Sequence, residues 1–380
     1  MIKKFTSAII FIAFIFSVCV SAAPSPGDSS LCSVVVEAES GDIIFEKNAH
    51  ERRGPASTTK IMTALVALEN SRTDDIVKID PRAVGTEGSS AYLCAGEKVL
   101  LSDLLYAVML GSANDAATAI AYHIGGSIEG FAEMMNARAE KLGLSDTHFE
   151  NPHGLDGESH YTTAYDLAMI AREALKNENF RNIVSTKTKA VKLSDGNVTR
   201  VFKNHNRLLF EYDDIIGVKT GFTKKCGRTL VSAAERDGVT VICVTLCDGD
   251  DWRDHRKLLS AGLELYERVT LCEKGGEERI VHVCGGEKAS VGVCCDEKLS
   301  VTLSKPHGKT ESVTELPPFV YAGFEKGDTL GFVSYYLDGK PIGRVALVAK
   351  EGSAVKLKKK NIFGHYFITA TVFGCIVKLK

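Results

Sequence analysis

Residues 215–246 read IIGVKTGFTKKCGRTLVSAAERDGVTVICVTL, and this stretch decides the fold. Its three β-rich runs, IIGVKTGF (215–222), GRTLVSAAE (227–235) and TVICVTLC (240–247), follow a period of two. Asp237-Gly238 between the last two is the dipeptide of a tight hairpin turn. Three strands joined by such short links pair antiparallel. Upstream, LCSVVVEAESGDIIFEKN (31–48) holds two more β runs around Glu39-Ser40-Gly41-Asp42, which predicts a hairpin.

The period changes between these two β regions. In PASTTKIMTALVALEN, Ile61, Ala64, Leu65 and Leu68 recur at i, i+3, i+4 and i+7, predicting an amphipathic helix that begins near Ser57. Further helices are expected at 102–110, 115–126, 130–143 and 164–176. A strand pair, a block of helices and a closing meander predict one α/β domain over 29–268, its sheet completed by both ends of the domain. Beyond Thr270 the helical pattern stops. Short β runs with glycine punctuation, ending in TLGFVSYYLDGKPIGRVALVAK (329–350), predict a second, all-β domain over 272–352, consistent with a small sandwich.

The whole chain of 380 residues is 44% hydrophobic and 25% charged, which excludes wholesale disorder. Its 46 basic and 48 acidic side chains leave no basic excess, so no nucleic-acid partner is expected. Lys3 and Lys4, the apolar run Ala8–Val20 and the small residues Ser21, Ala22 and Ala23 have the pattern of a secretory signal over 1–22, cut after Ala22. At the other end, Lys356, Lys358, Lys359 and Lys360 precede the apolar stretch NIFGHYFITATVFGCIV (361–377). With aromatics Phe363, Tyr366 and Phe367 near its start, 353–380 is expected to be a basic linker and membrane anchor, despite the defect at His365. The protein is therefore expected outside the cell, at the outer face of the cytoplasmic membrane or in the wall. The eleven cysteines are odd in number, irregularly spaced and lack a CxxC pair. Most read as small buried apolar residues, Cys243 and Cys247 are expected on one strand face, and the pairing stays open. No zinc site is expected.

The chemistry sits in three short motifs. Ser57-Thr-Thr-Lys60 opens the first helix, where a three-residue spacing stacks hydroxyl and amine on one face. An amine acts as general base only when neutral, so a lysine pKa near 10.4 has to fall by roughly three, worth about 4 kcal/mol. Burial and a second cation are the means available. Ser112-Ala-Asn114 falls in a turn between two helices, and Lys219-Thr220-Gly221 lies inside a strand, where the glycine allows close backbone approach. Lys219 supplies the second cation and suits an anionic substrate end. Singly, Ser57, Asn114 and Asp115 also read as helix caps and Lys219 as a solvated charge. Another S-x-x-K at Ser353–Lys356 sits in the basic tail and is discounted. The three motifs together, in this order on helix start, interhelical loop and strand, are not a coincidence of caps.

With their flanks ASTTKIMTAL, GSANDAA, NPHGLD, TAYDLAMIAR and GVKTGFTKKCGRTLVSAAERDG, these motifs resemble the low-molecular-mass penicillin-binding D-alanyl-D-alanine carboxypeptidases. The LDGKPIGRVALVA segment resembles that family's C-terminal β domain. The resemblance implies an α/β serine β-lactamase/transpeptidase-like domain, with an antiparallel sheet flanked by helices and a helical subdomain, followed by a small all-β domain. It implies Ser57 as nucleophile, Lys60 as general base, Ser112 as proton relay to the leaving amine and Asn114 as holder of the substrate amide. Lys219 and Thr220 would engage the terminal carboxylate, beside Gly221. The backbone N–H groups of Ser57 and Phe222 would form an oxyanion hole; relatives often carry histidine or tyrosine at the latter position. His205 stands where some relatives have a carboxylate-binding arginine, which leaves its role, and that of Arg253, open. The implied partner is a peptidoglycan stem peptide ending in D-Ala-D-Ala, with β-lactams as inhibitors and no cofactor or metal. A β-lactamase would need a deacylating glutamate, for which Glu150 and Glu158 qualify by position only, outside any E-x-x-L-N context. A non-catalytic β-lactam sensor or wall-binding module is disfavoured by the intact Ser57, Lys60 and Lys219.

Overall fold

The strand-rich ends of the first unit meet in one five-stranded antiparallel sheet. The structure is a computed structural model and describes residues 26–193 and 198–356; the expected signal and nearly all of the expected anchor lie outside them. The first unit runs to Arg268 and takes in Thr302–His307, and the second comprises Val269–Val301 and the chain from Gly308 on. In the first, strands β1 (Cys32–Glu37) and β2 (Ile43–Lys47) precede helices α1 (Lys60–Asn70), α2 (Leu101–Met109), α3 (Asn114–Gly125), α4 (Ile128–Lys141), α5 (Ala164–Leu175) and α6 (Glu178–Ser185). Short pairs β3 (Ile76–Lys78) with β4 (Lys98–Leu100), and β5 (Thr188–Leu193) with β6 (Val198–Lys203), stand outside the main sheet. After the single turn α7 (Leu208–Glu211) come β7 (Ile215–Thr223), β8 (Gly227–Arg236), β9 (Val239–Leu246) and α8 (Asp251–Glu264).

The main sheet has the order β2-β1-β9-β8-β7, so the amino-terminal hairpin and the meander join through β1 against β9, with Val35 opposite Cys243. All six residues of β1 are buried, as a central strand covered on both faces requires. Alternate residues enter two cores. Val34, Val36, Ile242, Val244, Val231 and Val218 pack with α1, α2, α3 and α5, whereas Val35, Val241, Cys243 and Ala234 pack with Leu258, Leu259 and Leu263 of α8. The tight turn at Asp237-Gly238 has φ +52° and +78°, the left-handed pair that an Asp-Gly hairpin supplies.

Two buried polar groups fix the helices to this frame. The His255 ring of α8 lies 2.8 Å from Ser232 Oγ and 3.0 Å from Thr245 Oγ1, on β8 and β9, and burial drives its pKa to about 3, so it bridges the strands as a neutral ring. Asp115, second residue of α3, accepts hydrogen bonds from Ser90 Oγ (2.7 Å) and from the N–H groups of Ala91 (2.8 Å) and Leu93 (3.1 Å). The 89–93 segment is thereby pinned across the start of α3, and Asp115 is more than a helix cap.

In the second unit six strands form one sheet in the order Thr310–Glu315, Thr329–Leu337, Lys340–Ala349, Ser290–Cys295, Arg279–Cys284 and Phe319–Tyr321, with only the last pair parallel. Val291, Val293, Val333, Val345 and Leu347 supply its core. Cys272 and Cys295 are paired as a disulfide, one of the pairings that the sequence leaves open. The expectation that most cysteines are buried needs correction: Cys94 and Cys284 are exposed and Cys226, Cys247 and Cys294 half-buried, leaving Cys32 and Cys243 as the buried free thiols among the described residues. Cys247 lies past the end of β9 with φ +55°, so it does not share a strand face with Cys243.

Candidate active site

The first motif does not lie wholly within a helix. Ser57 belongs to a 3-10 turn, Ala56–Thr59, and the α-helix starts at Lys60. The turn is tied down by its own threonines: Thr58 Oγ1 donates to Pro55 O (2.6 Å) and Thr59 Oγ1 to Ala56 O (2.8 Å). His160 adds a second anchor. Its Nδ1 accepts from the Glu150 N–H (3.0 Å), so Nε2 carries the proton and donates to Thr59 Oγ1 at 2.9 Å. Strand β7 closes on the same turn from the other side. A Cβ at Gly221 would stand 2.9 Å from the Ser57 nitrogen and 3.1 Å from that of Thr58, so only glycine permits this approach.

The Lys60 side chain is fully buried, and its Nζ has three neighbours: Ser57 Oγ at 3.0 Å, Asn114 Oδ1 at 2.7 Å and the His153 carbonyl oxygen at 2.5 Å. A neutral amine has two N–H bonds and one lone pair. The amide and carbonyl oxygens can only accept, so they take both N–H bonds, and the lone pair is left for the Ser57 hydroxyl. Burial, and then the charge of Lys219, push the Lys60 pKa well below the usual lysine value. Lys219 is itself buried, donates to Thr220 O at 3.0 Å, and is lowered by burial to about 7. Among the described residues neither amine faces a carboxylate.

Ser112 sits between α2 and α3 with φ +57°, a left-handed conformation uncommon for serine. Asn114 is the first residue of α3; its amide nitrogen donates to Glu87 O (2.5 Å), which turns its oxygen toward Lys60. Ser57, Ser112, Thr220, Gly221 and Phe222 line one cavity of about 360 Å³, and Lys60, Asn114 and Lys219 lie buried around it. All eight expected positions therefore converge.

His205 lines the same cavity, its pKa lowered by burial and by Lys219. Arg253 does not: its guanidinium is largely exposed and pairs with Asp250 at 3.1 Å. Arg228 of β8 occupies the rim instead, directly opposite Phe222 in the β7–β8 register. Its guanidinium grips both oxygens of the buried Asp251 (2.7 and 3.0 Å) and lies 5.5 Å from the Trp252 ring centre. Counting back along the hairpin from Lys219-Thr220-Gly221 would have pointed to it. Neither Glu150 nor Glu158 lines the cavity; Glu150 is turned into its own loop, accepting from the Ser159 N–H at 3.1 Å.

A hydroxyl facing the free lone pair of a buried amine, at the mouth of a polar cleft with a second buried lysine, defines a serine acyl-transfer enzyme of the penicillin-recognising kind. The family model described as D-alanyl-D-alanine carboxypeptidase matches residues 20–249, and that of the penicillin-binding protein 5 C-terminal domain matches 266–354. D-alanyl-D-alanine carboxypeptidase DacF of Bacillus subtilis is 31% identical over 333 residues, covering 84% of this chain and 84% of its own. DacC of Escherichia coli is 31% identical over 347 residues, covering 86% and 85%. Among solved structures, penicillin-binding protein 5 from Haemophilus influenzae aligns with a TM-score of 0.64 at 29% identity, over 87% of this chain and 99% of that one. The Streptomyces K15 DD-transpeptidase aligns with a TM-score of 0.61 at 35% identity, over 64% of this chain and 100% of that one. The chain belongs to the D-alanyl-D-alanine carboxypeptidase family.

The site's electrostatics fix the sign of its pH dependence. The Lys60 amine can accept a proton only above its pKa, and the Lys219 charge helps to hold that pKa down. Lys219→Gln is therefore expected to move the acidic limb of the penicillin acylation rate to higher pH, whatever it does to the plateau. An unmoved or downshifted limb in stopped-flow acylation profiles would contradict this coupling.

Proposed function

We propose that the protein acts as a serine-type D-alanyl-D-alanine carboxypeptidase, removing the terminal D-alanine from peptidoglycan pentapeptide stems through an acyl-enzyme on Ser57. The arrangement around Lys60 carries this reading: its lone pair is free only toward Ser57 Oγ, 3.0 Å away. Lys60 takes the hydroxyl proton as Ser57 attacks the carbonyl between the two D-alanines. The backbone N–H groups of Ser57 and Phe222 hold the oxyanion, and Asn114 orients the substrate amide. Ser112 passes a proton to the departing amine, and water then hydrolyses the ester. The terminal carboxylate is held by Thr220 and the positive field of Lys219, and Arg228 adds a cation at the rim. A penicillin presents a strained amide and a carboxylate in the same relation, and it acylates Ser57.

A β-lactamase reading finds no support in the two candidate glutamates: neither Glu150 nor Glu158 lines the cavity at Ser57, and Glu150 accepts from the Ser159 N–H of its own loop. Ser57→Ala is expected to lower D-alanine release from a Lys-D-Ala-D-Ala peptide at least about 10³-fold. Intact mass after incubation with penicillin should show one long-lived adduct on the wild type and none on the variant; rapid turnover of the drug would favour the lactamase. Arg228→Gln is expected to raise KM for the anionic peptide about tenfold with a smaller change in kcat, the pattern of a lost carboxylate contact. A fall in kcat alone would remove Arg228 from that role.

Export and retention at the outer face of the cytoplasmic membrane through 353–380 belong to the same reading. The mature protein is then expected to begin at Ala23 and to sediment with membranes until the tail is deleted. Recovery of a full-length, cytosolic chain would exclude it.

A further inference from the structure

The two edges of the six-stranded sheet in the second unit differ in kind. One edge strand, Thr310–Glu315, reads TESVTE and exposes Glu311 and Glu315, the charged sort of edge that discourages further pairing. The other, Phe319–Tyr321, lies within LPPFVYAG (316–323), eight residues without a charge. Val320 turns toward the core, so Phe319 and Tyr321 share the outer face, their ring centres 5.6 Å apart and edge to face. On the neighbouring strand, Arg279–Cys284, Val281 and Val283 are buried and Ile280 points out, and the register sets His282 beside Phe319 and Cys284 beside Tyr321. Ile280 is 76% exposed and Tyr321 75%; among the described residues only Tyr92, in the first unit, is a more exposed large apolar side chain. Open apolar surface gathered on one margin of a sheet marks a contact surface.

What covers this margin follows from where the chain leaves it. Val355 bridges to Gly286, and the Lys356 N–H donates to Gly285 O at 2.8 Å, directly after Cys284. From the other side the Gly323 N–H, two residues past Tyr321, donates to Ser353 O at 2.8 Å. The aromatic edge is therefore the exit point of the tail. Asn361, first residue of the apolar stretch 361–377, comes five positions after Lys356, a step that spans at most about 18 Å. On the anchor reading, the aromatic margin is tethered within about that distance of the headgroups, whereas the acidic edge stands five strand spacings, about 24 Å, across the sheet. Tyrosine settles at the headgroup level, its ring apolar and its hydroxyl wet, and Phe319 and Ile280 add apolar area. Charge is a lesser factor. Lys356, Lys358, Lys359 and Lys360 are opposed by Glu287 and Glu325, on the segments bonded to 353–354, while Glu351 is held by Lys288.

We propose that this margin of the second unit is a membrane-contact surface, seated in the headgroup layer with Phe319, Tyr321 and Ile280 toward the lipid. The proposal rests on the reading of 353–380 as a membrane anchor and adds to it a second point of contact, made by the folded sheet. An anchor alone lets a domain pivot on its tether; a contact on the sheet fixes which edge faces the bilayer. Because the tether is short, this contact forms at high effective concentration, so an apolar area too small to bind a vesicle by itself suffices.

The test binds full-length protein to vesicles of phosphatidylcholine and phosphatidylglycerol in equal parts, with bromine near the carbonyl end of the acyl chains. Tryptophan is introduced singly, as Tyr321→Trp, Phe319→Trp or Val313→Trp, the last at an exposed position on the acidic edge. The chain's one native tryptophan, Trp252, sets a background measured on the unsubstituted protein. Bromine should remove about half of the added emission at positions 321 and 319 and less than about a tenth at 313, as burial of one margin roughly 5–10 Å into the interface requires. Two reporters on the aromatic edge guard against a substitution that disturbs the strand. Vesicle-bound protein with neither of them quenched would overturn the proposal while leaving the anchor standing. Equal quenching at 313 would overturn it too, since no margin would be selected. Protein that fails to sediment with the vesicles would remove the anchor reading itself, and this inference with it.

Discussion

The burial of an amine among acceptors that cannot give it a proton is the constraint on which the site depends. Lys60 faces an amide oxygen, a backbone carbonyl and a hydroxyl, and only the hydroxyl can act as donor. A carboxylate in place of the His153 carbonyl would stabilise the ammonium and remove the base. The two histidines of the segment carrying that carbonyl are neutral: the His153 ring has a pKa of about 3 and that of His160 about 4, in both cases mainly through burial. These rings thus add no formal charge beside the amine, to which the loop presents a backbone dipole.

The fold brings these groups together by close backbone approach. Strand β7 can reach the Ser57 turn only because Gly221 has no side chain, and Gly154 meets the Ala56 carbonyl under the same restriction from the loop side. The turn is held between strand and loop while Thr58 and Thr59 satisfy its carbonyls from within. The sheet behind it is covered on both faces, so β7 is backed by β8, β9 and β1 and is poorly placed to yield. Rigidity at the nucleophile is therefore a property of the whole first unit.

Much of this was legible in the sequence because it is written in side-chain periodicity. The meander at 215–246, the amino-terminal hairpin and the helices α1 to α5 announce themselves through alternation or a 3.6-residue stripe. Helix α8 does not: Leu258, Leu259 and Leu263, with Trp252 and Ala261 partly buried beside them, are set in a charged sequence whose buried face also holds Asp251, Asp254 and His255. The β5–β6 pair lies outside the main sheet and leaves Val201 64% exposed, so no clean alternation of buried apolar residues marks it. Within the site, Ser57, Lys60, Ser112, Asn114 and Lys219 could be found by motif spacing. The His153 carbonyl could not, since a backbone oxygen leaves no trace in residue identity. Arg228 was hidden for another reason. It acquires its place from the strand register opposite Phe222, and a more suggestive arginine, Arg253, lies on the adjacent helix but faces solvent.

The two buried lysines also make the site expensive for the fold, and the sign of that cost ties stability to function. A lysine whose folded pKa is lowered holds fewer protons than its unfolded counterpart over the interval between the two values. Stability is therefore lost as pH falls from the unfolded value near 10.5 toward the folded one, which for Lys219 is about 7, on the order of 5 kcal/mol in full. Among the described residues no acid pairs with either amine to relieve this. A ligand carboxylate arriving beside Lys219 would do so, favouring its protonated form and recovering part of what burial took away. Under the proposed mechanism, the buried cation that would meet a ligand's carboxylate is thus one whose charged form the ligand itself favours, and the ligand-free protein carries the cost of burying it.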